Sequence, residues 1–334
     1  MQAIFALVVV IVIFVYFLPR VMDYREVWAV IRAMTWLELA TLALLAVWNQ
    51  ATYSFVEVSG RPALTYPQAI KITQSSTAMS NTLPGGAALG AGLQVAMYRS
   101  YGFARPDIAL SLAVTGTWNM FVKLAMPIVA VALLVADGDA GGPFVAASIV
   151  GLLILVGAVA VAIVVLRSER GAWRVGLKLR SALAYLARLA HRAPPRDWPQ
   201  VLTDVRQRTV ELLRMRWTYL TAATLLSHVS LYTVLLLALR HVGVPNQAVS
   251  WQEALAAFAF VRLLSALPIT PGGLGVVELG LVAALVAAGG DEALVVAAVL
   301  IYRLLTFVLP IPVGVVSYFL WQREIARPRA TTTT

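Results

Sequence analysis

The chain has no cysteine among its 334 residues, which excludes disulfides and thiolate metal sites. Charge is also scarce. Only 13% of residues are Asp, Glu, Lys or Arg, too few to solvate the surface of a soluble domain. The three histidines, His191, His228 and His241, are scattered without ligand spacing, so no metal site is expected. The metalloprotease, nucleophile-elbow and phosphate-loop motifs are absent. Acids in apolar segments are too sparse for a two-carboxylate site, so no catalytic residue and no cofactor is expected. What remains is apolar. Hydrophobic residues make up 60% of the chain and mean hydropathy is +0.82, the profile of a polytopic membrane protein.

A bilayer core needs about 20 apolar residues in a helix to cross it. Such windows lie at 1–18, 36–56, 108–136, 144–166, 217–239 and 294–320, the first short, the third and last long. Residues 1–18 carry no basic n-region and no small-residue cleavage site, so a retained helix is expected there. Two other regions fail the spanning test. Residues 66–82 hold Gln68, Lys71, Gln74, Ser75, Ser76 and Asn81, too polar to face lipid. Residues 276–289 would rise only about 21 Å as a helix.

Each of these short segments adjoins a Pro-Gly-Gly break: Pro84, Gly85 and Gly86 in the first half, Pro271, Gly272 and Gly273 in the second, followed by Gly275. Proline lacks a donor and glycine is costly inside a helix, so neither break continues one. In a bilayer the freed backbone groups survive only inside protein or beside a polar cavity. Paired breaks in two halves point to a transport site. Residues 67–100 and 251–289 are therefore expected as two re-entrant helical hairpins. Each precedes a long helix carrying a cation and a proline. Asn119, Lys123 and Pro127 follow at i, i+4, i+8, and Arg303, Thr306 and Pro310 at i, i+3, i+7, each set on one face. The expected fold is all-α: about six spanning helices plus two opposed hairpins, arranged as an inverted repeat.

Charge sets the orientation. Residues 167–216 carry twelve Arg or Lys against four acids, so this basic loop and the tail with Arg323, Arg327 and Arg329 belong in the cytoplasm. Both termini are then cytoplasmic, and the two hairpins enter from opposite sides. One domain is expected over 1–325, with a first half at 1–166, the basic loop at 167–216 and a second half at 217–320; 326–334 reads as a disordered tail. Within the loop, Arg174, Lys178, Ser181, Tyr185, Arg188 and Arg192 share a face, as in an interfacial helix that meets anionic lipid or anchors the loop.

Intramembrane charges need partners or a purpose. Arg262 and Glu278 stand on opposite arms of the second hairpin, either as a structural ion pair or as substrate contacts. Arginine suits a phosphate, and Glu278 suits an ammonium or a proton. Candidate substrate-binding residues are Asn81, Asn119, Lys123, Arg262, Glu278, Arg303 and Thr306. Arg303→Ala is expected to abolish transport without unfolding the protein.

Asn81 with Pro84-Gly85-Gly86, then Pro271-Gly272-Gly273-Leu274-Gly275-Val276-Val277-Glu278, then Tyr302-Arg303 with Thr306, Pro310 and Gly314 resemble the lysylphosphatidylglycerol synthase transmembrane family. The resemblance spans roughly residues 5–320. It implies lipid translocation between leaflets, with synthesis left to a separate soluble domain that is not expected in this chain. The implied setting is a bacterial plasma membrane. The implied partners are a phospholipid or lipid-linked substrate, and a homo-oligomer or separate synthase, with no nucleic acid. A membrane-embedded headgroup transferase and a non-transporting partner of a lipid or glycan synthesis complex are the alternatives.

Overall fold

Thr35 starts the first helix by a reciprocal cap: its hydroxyl accepts from the Glu38 N–H, and the Glu38 carboxylate accepts from the Thr35 N–H. The computed structural model describes residues 32–83, 86–137, 198–265 and 273–326, with scattered positions between 156 and 181. In chain order the helices are α1 (Trp36–Gly60), α2 (Tyr66–Thr82), α3 (Gly86–Ser100), α4 (Arg105–Asp137), α5 (Trp198–His241), α6 (Trp251–Leu264), α7 (Val276–Ala287), α8 (Glu292–Arg303) and α9 (Pro310–Ala326). No strand occurs among the described residues.

Trp36–Gly60, Arg105–Ala136, Thr209–His241 and Glu292–Ala326 are long and apolar enough to cross a membrane. They coincide with four of the six windows expected from sequence. The other two, 1–18 and 144–166, lie outside the described residues apart from isolated positions, as does most of the expected interfacial helix.

Two local expectations are corrected. The basic loop was expected to run to Arg216, but α5 is already helical from Trp198. Pro199 is tolerated in a first turn, and no proline or glycine interrupts the next 40 residues, so the basic segment continues the helix. The second correction concerns the last long helix. Between α8 and α9 lies a π turn, Leu304–Val308, closed by the Leu309 N–H donating to the Leu304 carbonyl at 2.8 Å. Pro310 has no N–H for the Thr306 carbonyl, and its ring crowds that oxygen, so the helix widens just before it. The regular i, i+3, i+7 face expected for Arg303, Thr306 and Pro310 is therefore offset.

The helix α8–α9 serves as a ruler for the rest. Helix α2 runs antiparallel to α9. Lys71 meets Glu324, Ser75 Oγ donates to the Gly314 carbonyl at 3.4 Å, and Asn81 Nδ2 donates to the Phe307 carbonyl at 3.1 Å. This approach requires Gly314, where any Cβ would collide with the Gln74 carbonyl and the Ala78 side chain. Helix α7 lies beside α8 from the other direction. It starts at Gly275 (φ 79°), and Glu278 in its first turn meets Arg303. The C-terminal end of α2 thus lies at Phe307, and the first turn of α7 at Arg303. The two described helix ends approach the π turn from opposite directions.

The remaining packing agrees with this layout. Helix α1 is antiparallel to α5, with Thr41 at His241 (3.0 Å), Asn49 at Ser230 (3.4 Å) and Val58 at Arg216 (3.3 Å). Ala256 and Ala259 of α6 pack on Ala130 and Leu134 of α4. One apolar cluster, around Leu235, Phe258, Leu281 and Ile301, fills one end. A second, around Ile72, Met97, Tyr98 and Trp321, fills the other.

Candidate functional site: a polar cavity between two helical tips

Between these clusters the walls turn polar. A cavity of about 390 Å³ lies between α1, the ends of α2, α3 and α6, and the π turn. Helix α2 contributes Ser76, Thr77, Ser80 and Asn81; α1 contributes Gln50 and Tyr53; α3 contributes Ala87, Gly90, Ala91 and Gln94. Arg262 enters from α6, and Tyr302, Arg303, Thr306 and Phe307 from the last helix. The polar residues of α2 that disqualified it as a lipid-facing span are those that line the cavity or the α9 contact.

Arg303 is the electrostatic centre. Its Nε donates to Glu278 Oε1 at 2.5 Å, both side chains being almost wholly buried, and its guanidinium lies 4.4 Å from the Phe307 ring centre. The sequence placed Glu278 opposite Arg262; the fold gives it to Arg303. Glu278 Oε2 and Arg262 Nε are both buried without a hydrogen-bond partner. Removing either member of a buried pair leaves an uncompensated charge, which costs about 3–5 kcal/mol. Arg303→Ala is thus a stability variant as well as a site variant.

Of the residues expected from sequence, the cavity unites Asn81, Arg262, Arg303 and Thr306, with Glu278 attached through Arg303. Thr306 turns its hydroxyl to the Tyr302 carbonyl at 2.7 Å. Asn119 and Lys123, on α4, do not line it. Lys123 is nevertheless within electrostatic reach of Arg262. Of the expected tips, Gly86, Gly273 and Gly275 are described, whereas Pro84, Gly85, Pro271 and Gly272 lie outside the described residues.

Sequence reasoning missed Gln50, Tyr53 and Gln94. The signal was present: Asn49, Gln50, Thr52, Tyr53 and Ser54 form a polar run in the middle of an apolar span. It also missed a buried network beside the cavity. Gln94 Nε2 donates to Glu57 Oε1 at 2.7 Å, and the Tyr98 hydroxyl donates to Glu57 Oε2. Arg61 stacks over Tyr98 and Phe103 and reaches the Asp107 carbonyl, closing this network at the helix ends. At the open end of the α2–α3 pair, the Tyr101 hydroxyl meets Glu324, and burial with that carboxylate pushes the phenol well above its ordinary range.

Long apolar helices, a polar cavity among them and buried charge define a membrane protein that is all-helical among the described residues. The family model described as the lysylphosphatidylglycerol synthase TM region matches residues 3–314, and the chain belongs to that family. Among curated proteins none matches it. Family and spans together support a lipid-related role in a membrane.

Proposed function

We propose that the protein is a lipid flippase, moving a phospholipid or lipid-linked headgroup between leaflets through the cavity while the acyl chains stay in lipid. The observation that supports this best is the position of the cavity. It sits where two short helical pairs, approaching from opposite ends, stop at the middle of a 35-residue helix. In this reading α2–α3 and α6–α7 are opposed re-entrant hairpins of an inverted repeat, and six helices span the bilayer. Irregular backbone at membrane depth is tolerable there because it lines a polar cavity.

The orientation follows from charge. Arg61, Lys71, Arg99, Arg105, Arg214, Arg216 and Arg323 gather at the end where α1 finishes and α9 stops. Glu38, Asp137, Glu253, Asp291 and Glu292 gather at the other, where Arg32 and Arg240 are the minority. The basic end is cytoplasmic in a bacterial plasma membrane, with both chain termini on that side. Anionic lipid would meet the basic segment at 167–216.

Arg262, Arg303 and Lys123 would neutralise a lipid phosphate, and Glu278 Oε2 would take an ammonium or a proton. The test is reconstitution in liposomes with acyl-chain fluorescent phospholipids, following quenching by dithionite. Protein-dependent leaflet exchange is expected. It should vanish in an Arg303→Gln/Glu278→Gln double variant, which keeps two hydrogen-bonding side chains without burying a lone charge. Equal exchange with and without protein across a broad lipid panel would sink the flippase reading. A new lipid product formed from an activated donor would replace it with the transferase reading.

A further inference from the structure

The charges around the cavity do not cancel. Arg262 and Arg303 line it from α6 and α8, and Lys123 on α4, outside the lining, is within electrostatic reach of Arg262. Glu278 is the acid that meets them, and its carboxylate is committed to Arg303. The nearby Glu57 is also committed: Gln94 and Tyr98 donate to it, and Arg61 acts on it electrostatically. Lys123 has no hydrogen-bond or ion-pair partner among the described residues, and the charge acting on it is Arg262. Arg262 in turn has its Nε buried without a partner. The first tip adds no acid, since Ala87, Gly90 and Ala91 form its cavity face.

A cation at the wall of a cavity in a bilayer core, with no acid of its own, is expensive to hold. Cargo that brings the counter-charge removes that cost while it is bound. We propose that the cavity selects a lipid headgroup of net negative charge, whose phosphate sits against Arg262, with Arg303 adding its charge from the cavity wall and Lys123 adding positive field from outside the lining. The Arg303–Glu278 pair also positions the start of α7. An amine on the headgroup would satisfy Glu278 Oε2, but the surplus at Arg262 would remain. A phosphate with no amine removes it. This selectivity rests on the flippase reading above; the anion site itself does not.

The experiment therefore has two arms. In liposomes, exchange is compared for fluorescent phosphatidylglycerol, an isoprenyl phosphate, phosphatidylethanolamine and lysyl-phosphatidylglycerol. Like charge facing like charge costs several kcal/mol, so either anionic lipid should exchange at least about tenfold faster than the cationic one. Whichever anionic probe is faster tells a phosphodiester cargo from a phosphomonoester. The preference should disappear in Lys123→Gln and Arg262→Gln, and Lys123→Glu should shift it toward the cationic lipid. In detergent, short-chain phosphatidylglycerol is titrated against the intact protein and thermal stability is followed. Stabilisation should be lost in Arg262→Gln, while a Lys71→Ala control, at the far end of α2, keeps it. Fastest exchange of the cationic lipid, or rates indifferent to headgroup charge, would overturn the charge selection and leave flipping intact. Binding without any exchange would keep the anion site and overturn the flippase reading. Neither binding nor exchange would overturn both.

Discussion

The two helical pairs that meet at the π turn have the same shape and are held by different forces. The first, α2–α3, is polar and docks on α9 by close backbone approach and neutral hydrogen bonds: Gly314 against Gln74, Ser75 to the Gly314 carbonyl, Asn81 to the Phe307 carbonyl. The second, α6–α7, is largely apolar and docks on α8 through a packed cluster of Leu281, Leu285, Val295 and Ile301, with one buried ion pair, Glu278–Arg303, at its tip end. Sterically fixed contacts tolerate little movement, because interiors are close-packed. A single ion pair at a tip has few states to choose from, and its strength depends on what else enters the cavity. The difference suggests a division of labour. The first pair is a fixed wall, and the second carries the charge that cargo can perturb.

The comparison can be broken by variants, and the largest effect should come from the ion pair. Glu278→Ala or Arg303→Ala should each lower stability by about 3–5 kcal/mol, whereas the double Arg303→Met/Glu278→Leu should recover most of that loss. Denaturant or thermal melts in one detergent would show it, and additive losses would mean the two side chains do not act as a pair.

Next is the wall. Gly314→Val should cost about 1–3 kcal/mol by overpacking, since its side chain meets the Gln74 carbonyl and Ala78. An engineered-cysteine crosslink between α2 and α9 should form more slowly in that variant; unchanged crosslinking would mean α2 is not held by this contact.

Glu57→Leu comes third. It leaves the Gln94 and Tyr98 donors without their acceptor, a cost of about 1–3 kcal/mol, and loosens α3 from α1. Glu57→Gln, which still accepts one donor, should lose less in the same melt. The smallest effect belongs to Lys71→Ala. Its pair with Glu324 is partly exposed at the hairpin's open end, so about 0–1 kcal/mol is expected. A large loss there would move the wall's main attachment from Gly314 to this end.

Much of this arrangement could be read from the chain. The spans that the structure describes were visible as apolar length, and the broken helices as Pro-Gly-Gly beside segments too polar or too short to cross. Tyr66–Thr82 was legible because ten polar side chains, Gln68 to Thr82, on one short helix cannot face lipid. Asn81, Arg262, Arg303 and Thr306 were legible because charge and amide groups in apolar segments are expensive. The π turn was not, since Pro310 alone allows a kink, a break or a widened turn, and packing chooses. Gln50, Tyr53 and Gln94 were passed over because isolated polar residues on spans more often hydrogen-bond between helices than line a cavity.

By itself the sequence determined the class of protein, the four described spans and the two short segments that are too polar or too short to cross. These follow from local quantities: apolar length, the missing proline donor and glycine entropy. Only the tertiary structure decided that Glu278 pairs with Arg303 and leaves Arg262 at the cavity wall with its Nε unpartnered. A buried carboxylate takes whichever guanidinium the packing delivers to it, and that choice is made by helices distant in sequence.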